Sequence, residues 1–299
     1  MLNFAPILYA RIHQRFGGPM ERVISEKAQY PVNYTQAHAY LRPNLAGGVG
    51  HELFGTSDGS GTNRSPLKAV SMAISEALER WAHYTLASAP DGDLYGFDRD
   101  PSSTGMAAFP GLFARQARSF AVIEAWERYL LLSWWEGQLS CQEQQPWDGR
   151  YGIWSVRAPG TPISLSLVCH RETAGFYSYG FGAAFRFSKA TARAEIERER
   201  SALALAHYYQ QHPAPDFSHT QLLRNPFEKR VLFFSLPEGH QLFMNRTQQQ
   251  ASRTWKQPKT ICDREIRGPW SRYAKVWRHA FDPSPFPSAY SPIPFYFYW

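Results

Sequence analysis

The sequence predicts an α/β chain of the α+β kind. Three observations carry that reading: three long stretches with helical periodicity, a strand, turn, strand pattern between the second and the third, and an apolar content able to bury a large core. Of the 299 residues, 43% are apolar, so disorder does not describe the whole chain. A single domain over residues 1–299 is the simplest organisation.

The elements follow in order. The opening residues, up to about position 55, mix Gly, Pro and short apolar runs, and their helix signals are poor. A Gly-rich stretch, residues 55–62, leads into the first helix, with Ser65 as its N-cap and Pro66 in the first turn. Val70, Ala73, Ile74, Ala77, Leu78, Trp81 and Tyr84 then recur at helical spacing. Pro110 and Gly111 lead in a second helix over residues 114–134. Residues 153–156 and 164–168 read as strands, separated by a segment containing Ala158, Pro159, Gly160 and Thr161, and residues 176–179 add another strand. A third helix covers residues 188–210. From Pro258 onward the chain is rich in Pro and aromatics. Pro removes backbone donors, so this tail is not one regular helix or central strand. Its aromatic content predicts that residues 258–299 dock on the body.

Composition narrows the function classes. Cys141, Cys169 and Cys262 lie far apart, without a CxxC pair or the His spacing of a zinc site, and read as ordinary cytosolic thiols. The segment up to Gly18 contains Arg11, His13, Gln14 and Arg15 and so lacks the apolar run of a signal peptide or membrane span, which places the protein in the cytoplasm and away from the membrane. A formal charge of +7 and a pI near 9.3 suit an acidic partner, but no stretch concentrates Lys and Arg into a block, and a nucleic-acid-binding role rests on net charge alone. Aromatics reach 15%, which fits either a surface for flat or extended ligands or a Trp-rich core.

The chemistry-bearing residues are carboxylates. Glu76, Glu79 and Arg80 form a Glu-x-x-Glu-Arg element that recurs 48 residues later as Glu124, Glu127 and Arg128, an internal pseudo-repeat of two copies. Residues three apart on a helix share a face, so each pair presents two carboxylates to a common point, and hard cations take oxygen ligands. The same spacing also suits a solvated face knitted by Glu76–Arg80 and Glu124–Arg128 pairs. Apolar neighbours favour a covered face: Phe120 and Leu131 share the side of Glu124 and Glu127, and Met72 shares that of Glu76. The third helix carries Arg193 and Glu197 four apart, beside Glu195, Glu199 and Arg200; by charge alone it reads as an exposed, salt-bridged helix.

Taken together these segments resemble the YcaO family, whose members activate a peptide backbone amide with ATP and Mg²⁺. The first resembles the family's Gly-rich lead and Glu-x-x-Glu-Arg helix through Gly59-Ser-Gly61 and Ser75-Glu-Ala-Leu-Glu-Arg80. The second resembles its partner helix through Ile123-Glu-Ala-Trp-Glu-Arg-Tyr129, and the third resembles the segment in which a Gly, here Gly182, precedes a helix bearing Arg and, four later, Glu. The resemblance implies antiparallel sheets with packed helices, the core lying in residues 50–210. It implies Glu76, Glu79, Glu124, Glu127 and Glu197 as magnesium ligands. Arg128 and Arg193, with Glu76, Glu124 and Glu197, are implied as nucleotide contacts.

The sequence also departs from the family pattern. Met72 stands where the family has Ser, Phe109, Gln116 and Phe120 fall on a second nucleotide motif, and Leu112 replaces an expected Asn. Apolar side chains neither coordinate a metal nor accept from an adenine or ribose donor. Pro283, Pro285 and Pro287 match the letters of the Pro-rich ending of azoline-forming members but lie twelve residues before the end, and also suit a polyproline segment. Two functions follow. One is ATP- and Mg²⁺-dependent cyclodehydration of a ribosomally made precursor peptide to a thiazoline or oxazoline. The other is a degenerate subunit that binds precursor peptide or a partner enzyme, such as a flavin dehydrogenase, without using ATP. The poor helix signals near the start give no separate leader-gripping region, so a partner protein is expected to supply that task. An oligomer is compatible with either.

Overall fold

A computed structural model of the chain describes residues 3–28, 33–47, 51–282 and 297. In order along it come α1 (Ala5–Leu8), β1 (Met20–Lys27), β2 (Thr35–Leu41), β3 (Gly59–Asn63), α2 (Pro66–Leu86), β4 (Met106–Phe109) and α3 (Arg115–Trp135). They are followed by β5 (Cys141–Gln145), β6 (Tyr151–Arg157), β7 (Ser164–Arg171), β8 (Tyr177–Ala184) and α4 (Phe187–Gln211). The chain continues with α5 (Phe217–Leu222), α6 (Pro226–Ser235), α7 (Pro237–Gln248), β9 (Lys259–Ile266) and β10 (Lys275–Asp282). The elements fall into two units. Unit 1 takes in the described residues of Met1–Gly48, Thr56–Ala125 and Pro258–Ser284, and unit 2 those of Val49–Gly55, Trp126–Gln257 and Pro285–Trp299.

In unit 1, β1, β2 and β3 form an antiparallel sheet in that order. The buried side of α2, with Ala73, Ile74, Ala77 and Leu78, shares a core with Ala37, Ala39 and Leu41 of β2. Pro66 takes the first helical position, where its missing N–H costs nothing. Ser65 sits at the N-cap with extended backbone but makes no side-chain capping bond. Instead the Asn63 side chain accepts from the Ser65 N–H at 3.0 Å. A second antiparallel sheet has the order β4-β10-β9. The Pro-rich tail is not one regular element but holds two strands, and β10 lies between two partners. The described prolines of the tail fall outside the strands: Pro258 precedes β9 and Pro269 opens a short turn of helix. The motif of Pro283, Pro285 and Pro287 lies outside the described residues.

In unit 2 the strands run as an antiparallel meander, β5-β6-β7-β8, with α4 against β7 and β8. Of the nine described tryptophans four go into cores, Trp134, Trp135 and Trp154 in this unit and Trp270 in the other. Trp134 meets Phe243 and Phe297 edge-on, both at 5.8 Å. The end of α3 is closed by a buried arginine: Arg246 on α7 donates to the carbonyls of Trp134, Trp135 and Leu139. Among the described residues no helix is long and apolar enough to cross a membrane.

A further repeat emerges at the level of packing. A Cβ on Gly61 would fall 2.2 Å from the Ala69 carbonyl oxygen and 2.8 Å from the Ala73 nitrogen, while one on Gly59 would fall 2.1 Å from the Ala73 oxygen. In unit 2 the same offsets relate Gly182 to Ala190 and Ala194, and Gly180 to Ala194. In both, a Gly-x-Gly strand lies flush against the backbone of the helix that follows it, an approach only glycine permits. The shared offsets put Glu197 in the place of Glu76 and Arg193 in that of Met72.

Candidate functional site

The candidate residues form two clusters, one in each unit. In unit 1, Glu76 points back to the strand that precedes its helix: its Oε2 accepts from the Ser60 N–H at 3.0 Å and the Ser60 hydroxyl at 3.1 Å. Its other oxygen faces Arg80 at 3.5 Å. Glu79, one turn on, is half-buried by area but so closely surrounded that loss of hydration is the main influence on its carboxyl. That loss, then Glu124 and Glu76, push it well above the usual carboxylate range, against Arg80 and Arg278. Burial disfavours the charge of Arg80, but Glu76, Glu79, Tyr84 and Glu124 outweigh it and hold the guanidinium above its ordinary value.

Arg278 of β10 was not singled out by the sequence. It is fully buried, donates to the carbonyls of Asp100, Ser102 and Thr104 at 2.7 Å, and lies 4.4 Å from the centroid of the Phe97 ring. Burial lowers its pKa, opposed by Asp100, Cys262, Glu124 and Glu79. The Nε atoms of Arg80 and Arg278 are buried and have no hydrogen-bond partner among the described residues.

In unit 2, Glu127 and Arg193 converge on one residue of β8. Glu127 Oε2 accepts from the Ala183 N–H at 2.7 Å, and Arg193 donates to the Ala183 carbonyl at 2.8 Å. Desolvation raises the Glu127 pKa, with Arg128, Arg193 and the Ala183 N–H pulling it down and Glu197 pushing it up. Arg128 lies 5.0 Å from the centroid of the Phe181 ring. Glu197 is exposed and pairs with Arg200 at 2.8 Å. The charge-dense segment of α4 is therefore only partly the solvated face its composition predicts. Arg198 is buried and holds Glu172, Glu195 and Glu199 around it.

The residues at the departing positions, all in unit 1, behave unevenly. Met72 and Leu112 are exposed, so the expected cover over the Met72 end of the Glu76 face is not there. Phe109 and Phe120 pack on each other at 5.9 Å, and Gln116 keeps a buried Oε1 without a partner.

These atoms test the fit to Mg²⁺ and a nucleotide. No three His, Cys, Asp or Glu side chains among the described residues stand close enough to hold a metal ion by themselves. A Mg²⁺ bound with phosphates needs only one or two protein carboxylates. Mutually repelling carboxylates at Glu76, Glu79 and Glu124, beside two orphaned arginine donors, meet that demand at the phosphate end. The apolar side chains of Met72, Leu112, Phe109 and Phe120 offer nothing to a base or ribose.

No protein-family model matches this chain, and no curated protein is similar to it in sequence. Solved structures do share its fold. YcaO from Methanopyrus kandleri bound with AMPPCP and Mg²⁺ superposes with a TM-score of 0.52 and 11% identity, over 91% of this chain and 87% of that one. The fold is YcaO-like. A heterocyclase in complex with substrate and cofactor superposes with a TM-score of 0.53 and 12% identity, over 91% of this chain and about half, 51%, of its own length. The expected α+β class with antiparallel sheets holds within this YcaO-like fold.

Of the residues the sequence nominated, Glu76, Glu79 and Glu124 form one electrostatic cluster, and Glu127, Arg128, Arg193 and Glu197 belong to the other. Ser60, Arg278 and Ala183 were missed. Ser60 could have been found from its place between two glycines leading into the first helix. Ala183 contributes only its backbone, and Arg278 lies about two hundred residues from Glu79 in the chain, so neither leaves a local signal.

Proposed function

We propose that this chain is a YcaO-type enzyme that uses ATP and Mg²⁺ to activate a backbone amide of a ribosomally made precursor peptide, giving a thiazoline or oxazoline. The observation that carries the reading is the cluster of Glu76, Glu79 and Glu124 beside the unpartnered Nε atoms of Arg80 and Arg278. The fold supports it, since one protein of similar fold binds AMPPCP and Mg²⁺ and another is a heterocyclase with its substrate.

In the reaction a Cys, Ser or Thr side chain of the peptide adds to the preceding carbonyl carbon, and its proton leaves. The former carbonyl oxygen takes the γ-phosphoryl group from ATP, leaving ADP, and then departs with it as phosphate while the amide nitrogen gives up its proton and the ring C=N bond forms. Bound Mg²⁺ would neutralise the phosphate charge. One or two of Glu76, Glu79 and Glu124 would hold it together with the phosphates, Glu76 being kept in place by Ser60. Arg80 and Arg278 would turn their free donors to phosphate oxygens, for which a guanidinium is suited. Arg128, Arg193, Glu127 and Glu197 are proposed as the second set of nucleotide and metal contacts, with Glu127 and Arg193 fixing the backbone of Ala183. A leader-binding or flavin dehydrogenase partner, and work in the cytoplasm, belong to the same reading.

A second reading is a non-catalytic subunit that binds precursor peptide or a partner enzyme. Its support is the exposure of Met72 and Leu112 where polar nucleotide contacts are expected. Isothermal titration of ATP, with and without Mg²⁺, separates the two. Magnesium-dependent binding that Glu124→Gln abolishes is the expected result. A flat titration at millimolar nucleotide would sink the ATP-dependent mechanism.

A further inference from the structure

Among the described residues β1 is the outer strand of its sheet, and its backbone offers an open edge. The Ala28 N–H donates to the Tyr34 carbonyl at 2.9 Å, next to the Lys27↔Thr35 pair. Antiparallel pairs alternate between bonded and non-bonded, so Arg22, Ile24 and Glu26 exchange bonds with β2. The N–H and C=O groups of Val23, Ser25 and Lys27 therefore face away from it. Among the described residues the free side of β1 is met only at its start, where the Met20 N–H donates to the Ile12 carbonyl at 3.0 Å. Edge strands are commonly protected by a bulge or inward charges. Here the irregularity lies between Met20 and Arg22 and leaves residues 23–27 in unbroken register with β2.

Beside this edge lies a cleft of about 340 Å³ lined by His13, Arg15, Glu21, Arg22 and Val23. The Arg22 guanidinium sits 4.1 Å from the centroid of the Tyr40 ring and that of Arg15 sits 4.8 Å from the Phe16 ring. Both arginines are exposed, and neither has a carboxylate partner among the described residues. With one acid, Glu21, against two arginines, the cleft is cationic.

We infer that the β1 edge and its arginine cleft dock an extended acidic segment of a peptide by strand addition. The incoming backbone bonds Val23, Ser25 and Lys27, and its carboxylates meet Arg15 and Arg22. The inference rests on the reading above only in taking that segment as part of the peptide whose amide is activated.

The test is fluorescence anisotropy without nucleotide, using a labelled peptide of alternating Glu and Thr as long as β1. Binding is expected, with no binding of the matching Lys and Thr peptide. Charge reversal by Arg15→Glu with Arg22→Glu should weaken it by about tenfold or more. Ser25→Pro removes an edge N–H that β2 does not use, so it should weaken binding similarly while leaving the circular dichroism melt intact. On the unaltered protein, N-methylating alternate residues of the Glu and Thr peptide should cause the same loss, whether or not the proline variant folds. No binding of the acidic peptide overturns the proposal. So does undiminished binding of the N-methylated peptide, which would mean ion exchange alone. A dimer in sedimentation that Ser25→Pro dissolves would also overturn it, by giving the edge to a second copy. Because nucleotide is absent, a failure of ATP binding and a failure of this docking are separate results.

Discussion

Glu127 and Arg193 hold Ala183 by its two backbone groups, the carboxylate taking the N–H and the guanidinium the carbonyl oxygen. The glutamate is desolvated and the arginine lowers its pKa, so the two are also linked electrostatically. Glu127→Ala should cost about 1–3 kcal/mol, because it leaves the Ala183 N–H without its acceptor. Ala183 is fully buried, so Arg193→Ala leaves its carbonyl without a donor and should also cost about 1–3 kcal/mol. The double variant should lose less than the sum, by roughly 0.5 kcal/mol or more, in urea unfolding. Losses that simply add would show that the two contacts are independent.

The Gly-x-Gly strands give a steric prediction. Gly180→Ala would put a methyl group 1.9 Å from the Ala194 carbonyl oxygen and Gly61→Ala one 2.2 Å from that of Ala69, and both obstacles are helix backbone. Each should destabilise by about 1–3 kcal/mol or more. Gly55→Ala meets nothing within 4 Å and serves as the neutral control. Equal denaturation midpoints for Gly180→Ala and Gly55→Ala would refute the flush packing of β8 on α4.

How much of this was legible in the sequence depended on whether the signal was local. α2 and α4 each bury one side and α3 is buried all round from Tyr129 to Trp135, so helical periodicity and apolar content put them within a residue or two of Pro66–Leu86, Arg115–Trp135 and Phe187–Gln211. The hairpin of β6 and β7 was marked by its turn residues. β1 escaped notice because only Met20 is buried along it, which erases the alternation that announces a strand. β10 carries Arg278 and His279 in buried positions and so does not look like a central strand. The starts of α6 and α7 carry local signals, with Asn225 capping and Pro226 and Pro237 at first positions. The carboxylates showed through their spacing, whereas their long-range partners could not.

Acid should expose the neutral state of His240. This residue is stacked on Tyr177 at 3.7 Å and shares a 2.8 Å hydrogen bond between its Nδ1 and the Tyr179 hydroxyl. Desolvation, helped by Arg171, lowers its pKa to about 4. An unfolded His takes up its proton near 6.5, so between about 6.5 and 4 the unfolded chain binds the extra proton and stability falls as pH falls. His240→Asn should flatten that part of the curve. A variant whose urea midpoint declines with acid as steeply as the parent's would remove His240 as the cause.

Glu79 titrates in the opposite sense. Burial first, then Glu124 and Glu76, raise its folded-state pKa well above that of the unfolded chain. Between the two values the folded state holds a proton that the unfolded state has lost, so stability falls as pH rises through that window. Glu79→Gln cannot ionise and should melt higher than the parent at neutral pH, with the gain shrinking as pH drops towards about 4.3. Under the proposed function the same substitution should also remove the stabilisation that Mg²⁺ with ATP gives the parent, since a ligand bound to the folded state raises the melting temperature by mass action. The two effects separate the roles of the carboxylate. A higher melting temperature with an intact nucleotide response would leave Glu79 as a source of strain only. A lower one at neutral pH would mean that Arg80 and Arg278 already compensate its charge.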